Sequence, residues 1–338
     1  MKEFEIGWNN GINVSVKDTN ISLDPQCGVN LNGIVLISHA HSDHIKGFES
    51  KSLKMSTQET LELYKAKTKC QPVNTKNLVF LKNIKYDNFE IVPYNAGHML
   101  GSAQFLIKTP YGNIGYTGDI NCLDTLTTEA ANVIDCDILI MEATYGDPFY
   151  KFPDREETYN EIVGWALKQI KAKHIPIFQS YSTGKAQEIV ALFNNFTNLP
   201  VVVDSSINRT SRVYGKFGCK LIFLSDDQSE GKEILRKGEC IYVVSKSHKA
   251  FGLSNNFKKA TVTGWALKFN STSDSFPLSS HADYIQLMDY VKTVKPSKVF
   301  TCFGFDKVLA QNIKKEYGIT ALPLPQFEQP TLKKFWRS

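Results

Sequence analysis

The chain has 338 residues, of which 42% are hydrophobic and 22% charged. This length corresponds to about two domains of about 150 residues, and the composition excludes disordered, collagen-like and disulfide-scaffold proteins. The formal net charge of +5 is compatible with a polyanionic partner but does not by itself establish one.

Neither a membrane span nor a secretory signal is visible in the sequence. The longest apolar runs, such as 34–37 and 136–141, are far shorter than the roughly 18 residues that cross a bilayer. The first ten residues, MKEFEIGWNN, lack the apolar stretch of a signal peptide. The seven cysteines form no C-x-x-C pair. We therefore expect a soluble protein of the reducing cytoplasm, without a membrane partner.

Short apolar and β-branched runs dominate the first part of the chain. Strands are predicted at 34–37, 78–81, 89–94, 104–108, 114–117 and 138–141. One helix, at 58–67, interrupts them and has Thr57 as its N-cap. This part is therefore expected to be rich in strands.

After Pro153 the pattern alternates between helix and strand. Helices at 156–171, 185–196, 207–217 and 230–237 alternate with strands at 175–178, 201–204, 221–224 and 241–244. Such alternation is typical of β-α-β units on a parallel sheet flanked by helices. Strand signal returns after residue 260, followed by a helix at 284–294 and a strand at 298–301. The sequence predicts an α/β protein in which a domain of residues 151–259 is inserted into another, formed by 1–150 and 260–338.

The most specific motif is the string His39-Ala40-His41-Ser42-Asp43-His44, directly after the run 34–37. At the end of a strand, His39 and His41 have period-two spacing and point to one side, while Asp43 and His44 begin the next turn or helix. Imidazole with carboxylate suits Zn²⁺ and also accommodates Mn²⁺ or Fe²⁺. The spacing predicts two adjacent metal positions, which four residues cannot fill.

Three further motifs offer the missing ligands. His98 in NAGHMLGS, Asp119 in YTGDI and His281 in PLSSHADY each follow an apolar run. A single polar residue at such a place is usually structural. However, five of the seven histidines of the chain lie in these motifs or in the HAHSDH string. This concentration favours one shared metal centre.

Together these motifs resemble the metallo-β-lactamase superfamily. The match runs from Asp24 in LDP, through HAHSDH, GHMLGS and TGDI, to EATYG around Glu142. The segments YSTGKAQE at 181–188 and SSHAD at 279–283 are similar to the β-CASP nuclease branch, above all to ligase-associated DNA exonucleases and Artemis-type cross-link-repair nucleases. The resemblance implies a metallo-β-lactamase αββα sandwich with an inserted β-CASP α/β domain.

For the site, the resemblance implies two divalent metal ions, with zinc the first choice. The first ion would be bound by His39, His41 and His98, the second by Asp43, His44 and His281, and Asp119 would bridge them. A hydroxide between the ions would attack the scissile phosphate. The catalytic candidates are Asp43, Asp119 and Glu142. Asp24 and Glu142 match positions that orient ligands, and Glu142 is also a candidate for proton transfer.

Four residues begin a predicted helix after the strand 175–178 and could bind an anion: Ser182, Thr183, Gly184 and Lys185. In DNA-processing relatives the matching segment helps to hold a 5′ phosphate. Capping preferences alone would instead make one of the hydroxyl residues an N-cap and Lys185 a solvated charge. The resemblance adds Ser279 and Ser280 as nucleic-acid contacts, and Tyr145 is a candidate for base stacking.

Phe303 stands where RNA-cleaving β-CASP enzymes carry a histidine before glycine, whereas Artemis-type DNA nucleases have an apolar residue there. The resemblance therefore favours a 5′-to-3′ DNA exonuclease that acts on 5′-phosphorylated ends in DNA repair or end processing, with a DNA ligase or other repair proteins as partners. An RNA-processing nuclease, similar to mRNA 3′-end processing factors, is the alternative. A small-molecule hydrolase or an inactive nucleic-acid-binding scaffold ranks lower, because the insert is long and no ligand is missing.

Overall fold

A computed structural model describes residues 4–17, 19–28, 31, 33–246, 248, 256–268 and 274–326. These residues form a mixed α/β fold with three sheets and seven α-helices. Within the described ranges, no helix combines the length and the apolar character that crossing a membrane requires.

The elements are numbered in chain order. The first part comprises β1 (Phe4–Trp8), β2 (Ile12–Val16), β3 (Thr19–Leu23), β4 (Ile34–Leu36), β5 (Leu53–Thr57), α1 (Gln58–Thr68), β6 (Thr75–Leu78), β7 (Ile84–Tyr86), β8 (Phe89–Asn95), β9 (Ala103–Thr109), β10 (Gly112–Tyr116) and β11 (Ile138–Glu142). The middle comprises α2 (Arg155–Lys171), β12 (Ile175–Ser180), α3 (Lys185–Phe196), β13 (Val201–Val203), α4 (Ser205–Lys216), β14 (Leu224–Ser225), α5 (Ser229–Lys237), β15 (Ile241–Ser245), β16 (Phe257–Val262) and β17 (Asp274–Phe276). The last part comprises α6 (Tyr284–Val294), β18 (Lys298–Cys302), α7 (Asp306–Tyr317) and β19 (Thr320–Pro323).

Two sheets pack face to face. The first has the order β1-β2-β3-β4-β5-β6, and the second has the order β19-β18-β11-β10-β9-β8-β7. Ile12 and Leu36 of the first sheet share one buried cluster with Phe105, Ile114 and Ile140 of the second. This apolar layer fixes the two sheets against each other.

Helices cover the outer faces of these two sheets. Val35 of β4 packs with Tyr64 of α1 on the outside of the first sheet. Met141 of β11 packs with Leu287 of α6 and Ile313 of α7 on the outside of the second. Because these strands are covered on both sides, their sequences are continuous apolar runs rather than alternating ones.

The third sheet has the order β14-β13-β15-β12-β16-β17, and all its strand pairs are parallel. Phe178 of β12 packs with Phe193 of α3 on one face, and Ile177 packs with Tyr242 on the other. The alternation of helix and strand in the sequence predicts this kind of sheet. Strands β16 and β17 extend it past residue 259, where the insert is predicted to end.

Some elements differ from the sequence prediction. The hairpins of β1–β3 were not predicted, although the alternation of apolar and polar residues in β2 is typical of a half-buried strand. Each of these strands has only five residues and lacks the continuous apolar run of the predicted strands. Helix α7 was also missed, since only a narrow stripe around Leu309 and Ile313 is apolar and buried. The predicted strand at 221–224 was wrong for most of its length: only Leu224–Ser225 is a strand, and Ile222 is exposed.

The buried layer between the first two sheets predicts a stability difference between two isoleucines. Ile140 is fully buried there, whereas Ile222 is 77% exposed. We expect Ile140→Ala to lower the free energy of unfolding by about 2–5 kcal/mol, because it removes buried methyl groups and leaves a cavity. Ile222→Ala should change it by less than about 0.5 kcal/mol. Urea unfolding followed by circular dichroism measures both, and equal effects would contradict the packing described.

Candidate functional site

Loops at one edge of the two facing sheets carry the polar residues of the sequence motifs. Asp24 follows β3, the HAHSDH string follows β4, His98 follows β8, Asp119 follows β10, Glu142 ends β11 and His281 precedes α6. The parallel pairs β3–β4 and β10–β11 direct their carboxyl ends to this edge. Potential ligand atoms lie within 4.8 Å of one another in three groups: His39, His41, His98 and Asp119; Asp24, His39 and His44; Asp119, Glu142 and His281.

Asp24 organises the loop that follows β4. Its Oδ1 accepts a hydrogen bond from the Ser38 N–H at 2.7 Å. Its Oδ2 accepts from the Ser38 hydroxyl at 2.5 Å, from His44 Nδ1 at 2.8 Å and from the Tyr116 hydroxyl at 2.7 Å. Because the Ser38 hydroxyl donates to Asp24, it accepts from His39 Nδ1 at 2.9 Å. Asp24 thus orients two imidazoles, one directly and one through Ser38.

β4 ends at Leu36, so the histidine string lies in a loop and not on the strand end that the spacing predicts. The rings of His39 and His41 still lie side by side, with centroids 4.9 Å apart. The hydrogen bonds of Asp24, rather than strand periodicity, therefore account for the orientation of His39.

His41 and His98 point unprotonated nitrogens at each other. His41 Nε2 lies 3.2 Å from the Thr183 carbonyl oxygen, and His98 Nδ1 lies 2.8 Å from the Ser280 carbonyl oxygen. A carbonyl oxygen only accepts, so these two nitrogens are the donors. The remaining nitrogens, His41 Nδ1 and His98 Nε2, face each other at 3.1 Å. Two lone pairs at this distance repel unless a cation lies between or beside them.

Asp119 lies at the centre of the remaining histidines. Its Oδ2 is 3.3 Å from His39 Nε2, 3.7 Å from His98 Nε2 and 3.9 Å from His281 Nε2, and its Oδ1 is 3.7 Å from His44 Nε2. Among the described residues, His39 Nε2 is buried and has no hydrogen-bond partner. A buried nitrogen without a partner beside a carboxylate is a typical metal ligand.

Glu142 fixes the orientation of His281. Its buried carboxylate accepts from His281 Nδ1 at 2.9 Å and from the Ile120 N–H at 2.6 Å. Both oxygens are thereby engaged, and Glu142 does not line the pocket described below. This geometry favours an orienting role over proton transfer to a substrate.

The electrostatics of the cluster also suit a cation. Burial lowers the pKa of His41 to about 3, and burial followed by neighbouring imidazoles holds the pKa values of His39 and His98 well below the usual range. These three rings are therefore neutral and able to coordinate. Burial lowers the pKa of His44, but the carboxylates of Asp119 and Asp24 outweigh it and raise the pKa to about 10. The carboxylates thus attract positive charge to the centre.

The donor set therefore fits bound metal ions. Each of the five histidines directs one nitrogen inward, and the outer nitrogen has a protein acceptor in every case. Such outer partners are the usual companions of metal-binding imidazoles. Asp43 is the exception among the predicted ligands: its side chain is 70% exposed, and its carboxylate is 3.7 Å from His44 Nε2. It belongs to none of the three groups.

A pocket of about 430 Å³ opens beside this cluster. It is lined by the predicted substrate residues Tyr145, Ser182, Thr183, Lys185, Ser279 and Ser280, together with Phe303, but not by Gly184. Gly184 is the N-cap of α3 and has a φ of 89°, so neither Ser182 nor Thr183 is the cap. Lys185 is buried, with Nζ 3.5 Å from Glu188 Oε2, and is not a solvated charge. Burial lowers its pKa to about 8.

Several functional residues escaped the sequence analysis. The carbonyl groups of Thr183 and Ser280 orient histidines, yet a backbone acceptor leaves no signature in the sequence. Arg155 donates to the Ser279 carbonyl at 2.7 Å and also pairs with Glu188. Arg155 and Glu188 are 33 positions apart, and each lies in a helix among other charged residues. Nothing in the sequence therefore distinguishes this pair from ordinary charges on helix surfaces.

The role of Glu142 predicts a loss of metal affinity in Glu142→Gln. The amide cannot hold His281 with two carboxylate oxygens, so we expect the affinity for Zn²⁺ to fall about 10- to 100-fold. A competition titration with a chromophoric chelator measures this change. Glu156→Gln, at an exposed position of α2, is the matched control and should bind like the wild type. Equal affinity of the two variants would contradict the orienting role.

Comparisons with known proteins agree with these motifs. No protein-family model matches the chain. It is 27% identical over 301 residues to a probable DNA ligase of Opitutus terrae, covering 87% of this chain but 29% of that protein, so it spans less than a third of that relative's length. It is 28% identical over 342 residues to an RNase J-like protein of Methanocaldococcus jannaschii, covering 80% and 81% of the two chains. It is 23% identical over 320 residues to protein artemis of Gallus gallus, covering 78% and 43%.

The fold is also found among solved structures. A protein of unknown function from Enterococcus faecalis V583 superimposes with a TM-score of 0.64 at 14% identity, over 96% of this chain and 97% of that one. The nuclease relatives and the histidine motifs together fit the β-CASP nuclease branch of the metallo-β-lactamase superfamily.

Proposed function

We propose that the protein is a metal-dependent phosphodiesterase that cleaves nucleic acid, and specifically a 5′-to-3′ DNA exonuclease acting on 5′-phosphorylated ends in repair or end processing. The observation that carries the proposal is a cluster of five oriented imidazoles around the Asp119 carboxylate beside an open pocket, with four of them within 4 Å of its oxygens and His41 in the same group of ligand atoms. The similarity to the β-CASP nuclease branch supports the reaction type.

The fold proposal follows the same relatives. The two facing sheets with their outer helices correspond to a metallo-β-lactamase αββα sandwich, and the third, parallel sheet corresponds to an inserted β-CASP domain. The predicted boundaries are 1–150, 151–259 and 260–338, and the strands β16 and β17 of the third sheet favour an insert that extends to about 276.

We assign the ligands to two divalent ions, zinc first. The first site would comprise His39, His41 and His98, which form one group with Asp119. The second would comprise His44, His281 and the more exposed Asp43, and Asp119 would serve both. When bound, the ions supply a nucleophile at neutral pH and stabilise the charge on the scissile phosphate and the leaving oxygen. Asp24 and Glu142 hold the imidazoles in the required tautomer.

The substrate end of the pocket is suited to a terminal phosphate. Ser182, Thr183 and Lys185 line the pocket at the start of α3, where backbone N–H groups and the helix dipole attract an anion. Lys185 adds a buried positive charge, shared with Glu188. A phosphate at this position would place the first linkage of the strand toward the metal ligands, which supports cleavage from a 5′ end.

DNA and RNA remain two candidate substrates. Phe303 lines the pocket, with its ring 5.8 Å from that of His44, at the place where RNA-cleaving enzymes of the branch carry a histidine. This favours DNA. RNA is the second candidate because the match to the RNase J-like protein covers 81% of that protein, against 29% of the probable DNA ligase. The latter match also motivates a DNA ligase as a partner.

Cleavage of matched oligonucleotides tests the proposed function. Single-stranded DNA and RNA, labelled at the 3′ end, are incubated with Zn²⁺ or Mn²⁺. We expect progressive shortening of the DNA, and a loss of more than about 100-fold in Asp119→Ala, since loss of an outer partner alone typically costs 10- to 100-fold. Preferential cleavage of RNA would replace the DNA proposal, and no cleavage of either by the metal-loaded wild type would refute both.

Lys185 predicts a preference for a phosphorylated end. In Lys185→Met the charge is lost, while Glu188 keeps its contacts with Arg155 and Tyr159, so the fold should persist. The ratio of kcat/KM for 5′-phosphate over 5′-hydroxyl DNA should fall roughly 10- to 100-fold, the effect of one charged hydrogen bond. Thermal unfolding checks that the variant is folded. An unchanged ratio in the folded variant would exclude Lys185 as the phosphate contact.

A further inference from the structure

A tyrosine and a lysine form a pair at the mouth of the pocket. Tyr181 directly follows β12, and Lys246 directly follows the neighbouring parallel strand β15. The Lys246 Nζ lies 3.7 Å from the centroid of the Tyr181 ring, within the range of a cation–π interaction. Tyr181 lines the pocket, is 52% exposed, and lies 5.7 Å from the His41 ring. These two residues are called the Tyr181–Lys246 pair.

The two lysines that line the pocket, Lys67 and Lys185, are already engaged. Lys67 donates to the Ala40 carbonyl oxygen at 2.7 Å, and Lys185 is buried beside Glu188. Lys246 is exposed, and in the described part of the chain it forms no ion pair with a carboxylate. The sequence of the following segment, 247–255, contains no aspartate or glutamate. The charge of Lys246 is therefore available to an anion outside the protein.

The ring restricts where this charge lies. An exposed lysine normally samples many conformations, and binding costs the entropy of fixing it. The ammonium over the Tyr181 ring is partly fixed before any ligand arrives, at a place next to the pocket mouth. A preorganised cation at the edge of a site that accepts a phosphodiester is well placed for the phosphate of a neighbouring nucleotide.

We propose that Lys246, positioned by the Tyr181 ring, binds a backbone phosphate of the nucleic-acid strand outside the metal centre. The inference rests on the proposed function and adds to it a contact that is independent of the base sequence. It gives the strand a second fixed point, in addition to the terminal phosphate at Lys185.

Salt-dependent binding tests this proposal. The affinity of the metal-loaded protein is measured over a range of salt concentrations, with a fluorescent, 5′-phosphorylated single-stranded 12-mer DNA whose phosphorothioate linkages resist cleavage. In Lys246→Met, which keeps an apolar stem of similar length, the slope of log K against log salt should become shallower by about 0.7, and the affinity at 0.1 M salt should fall about fivefold. Tyr181→Leu should weaken binding and leave the slope unchanged, because the charge remains.

Lys168→Met is the matched control, since Lys168 is exposed on α2 and does not line the pocket. It should bind like the wild type. If the wild type cleaves DNA but Lys246→Met is indistinguishable from Lys168→Met, this inference is wrong while the proposed function stands. If the wild type neither cleaves nor binds nucleic acid, both are wrong.

Discussion

The central constraint of this structure is the convergence of five imidazoles on one buried carboxylate. His41 Nδ1 and His98 Nε2 face each other at 3.1 Å with their lone pairs. This arrangement is stable only if a hydrogen-bond acceptor holds the other nitrogen of each ring and a cation lies near the two facing nitrogens. The outer partners come from separate elements: Asp24 from the first sheet, Glu142 from the second and the Thr183 carbonyl from the loop after β12. The centre therefore exists only when all three sheets are assembled.

The third sheet is thus part of the site and not an appendage. Besides the Thr183 carbonyl, it contributes α3, whose Glu188 pairs with Arg155 of α2. Arg155 in turn donates to the Ser279 carbonyl, two residues before His281. The Arg155–Glu188 ion pair consequently connects the start of α3, with its candidate anion site, to the loop that carries His281. The Arg155 side chain is 13% exposed and that of Glu188 is 2% exposed, so this connection is largely shielded from solvent.

The sequence predicts which residues belong to this centre more reliably than it predicts how they are arranged. Imidazole and carboxylate side chains in HAHSDH, GHMLGS, TGDI and SSHAD leave a strong signature, and α3 was predicted with its observed bounds, Lys185–Phe196, because its apolar stripe is wide. Backbone carbonyl partners have no such signature. Nor does the burial of Lys185, because whether a lysine is solvated depends on residues distant in sequence, such as Arg155. Asp43 shows the converse: a motif position whose side chain stays largely exposed.

In the proposed mode of binding, two lysines beside one pocket would have different roles toward a polyanion. Lys185 is buried, and burial lowers its pKa to about 8. Glu188 only partly compensates the charge of its ammonium group, so a bound phosphate would supply the missing negative charge. Such a site discriminates strongly, because an uncharged end leaves the buried ammonium with no new partner. Lys246 is exposed, so a phosphate contact there would contribute affinity with little discrimination. End recognition would thus belong to the buried lysine, and retention of the strand to the exposed one.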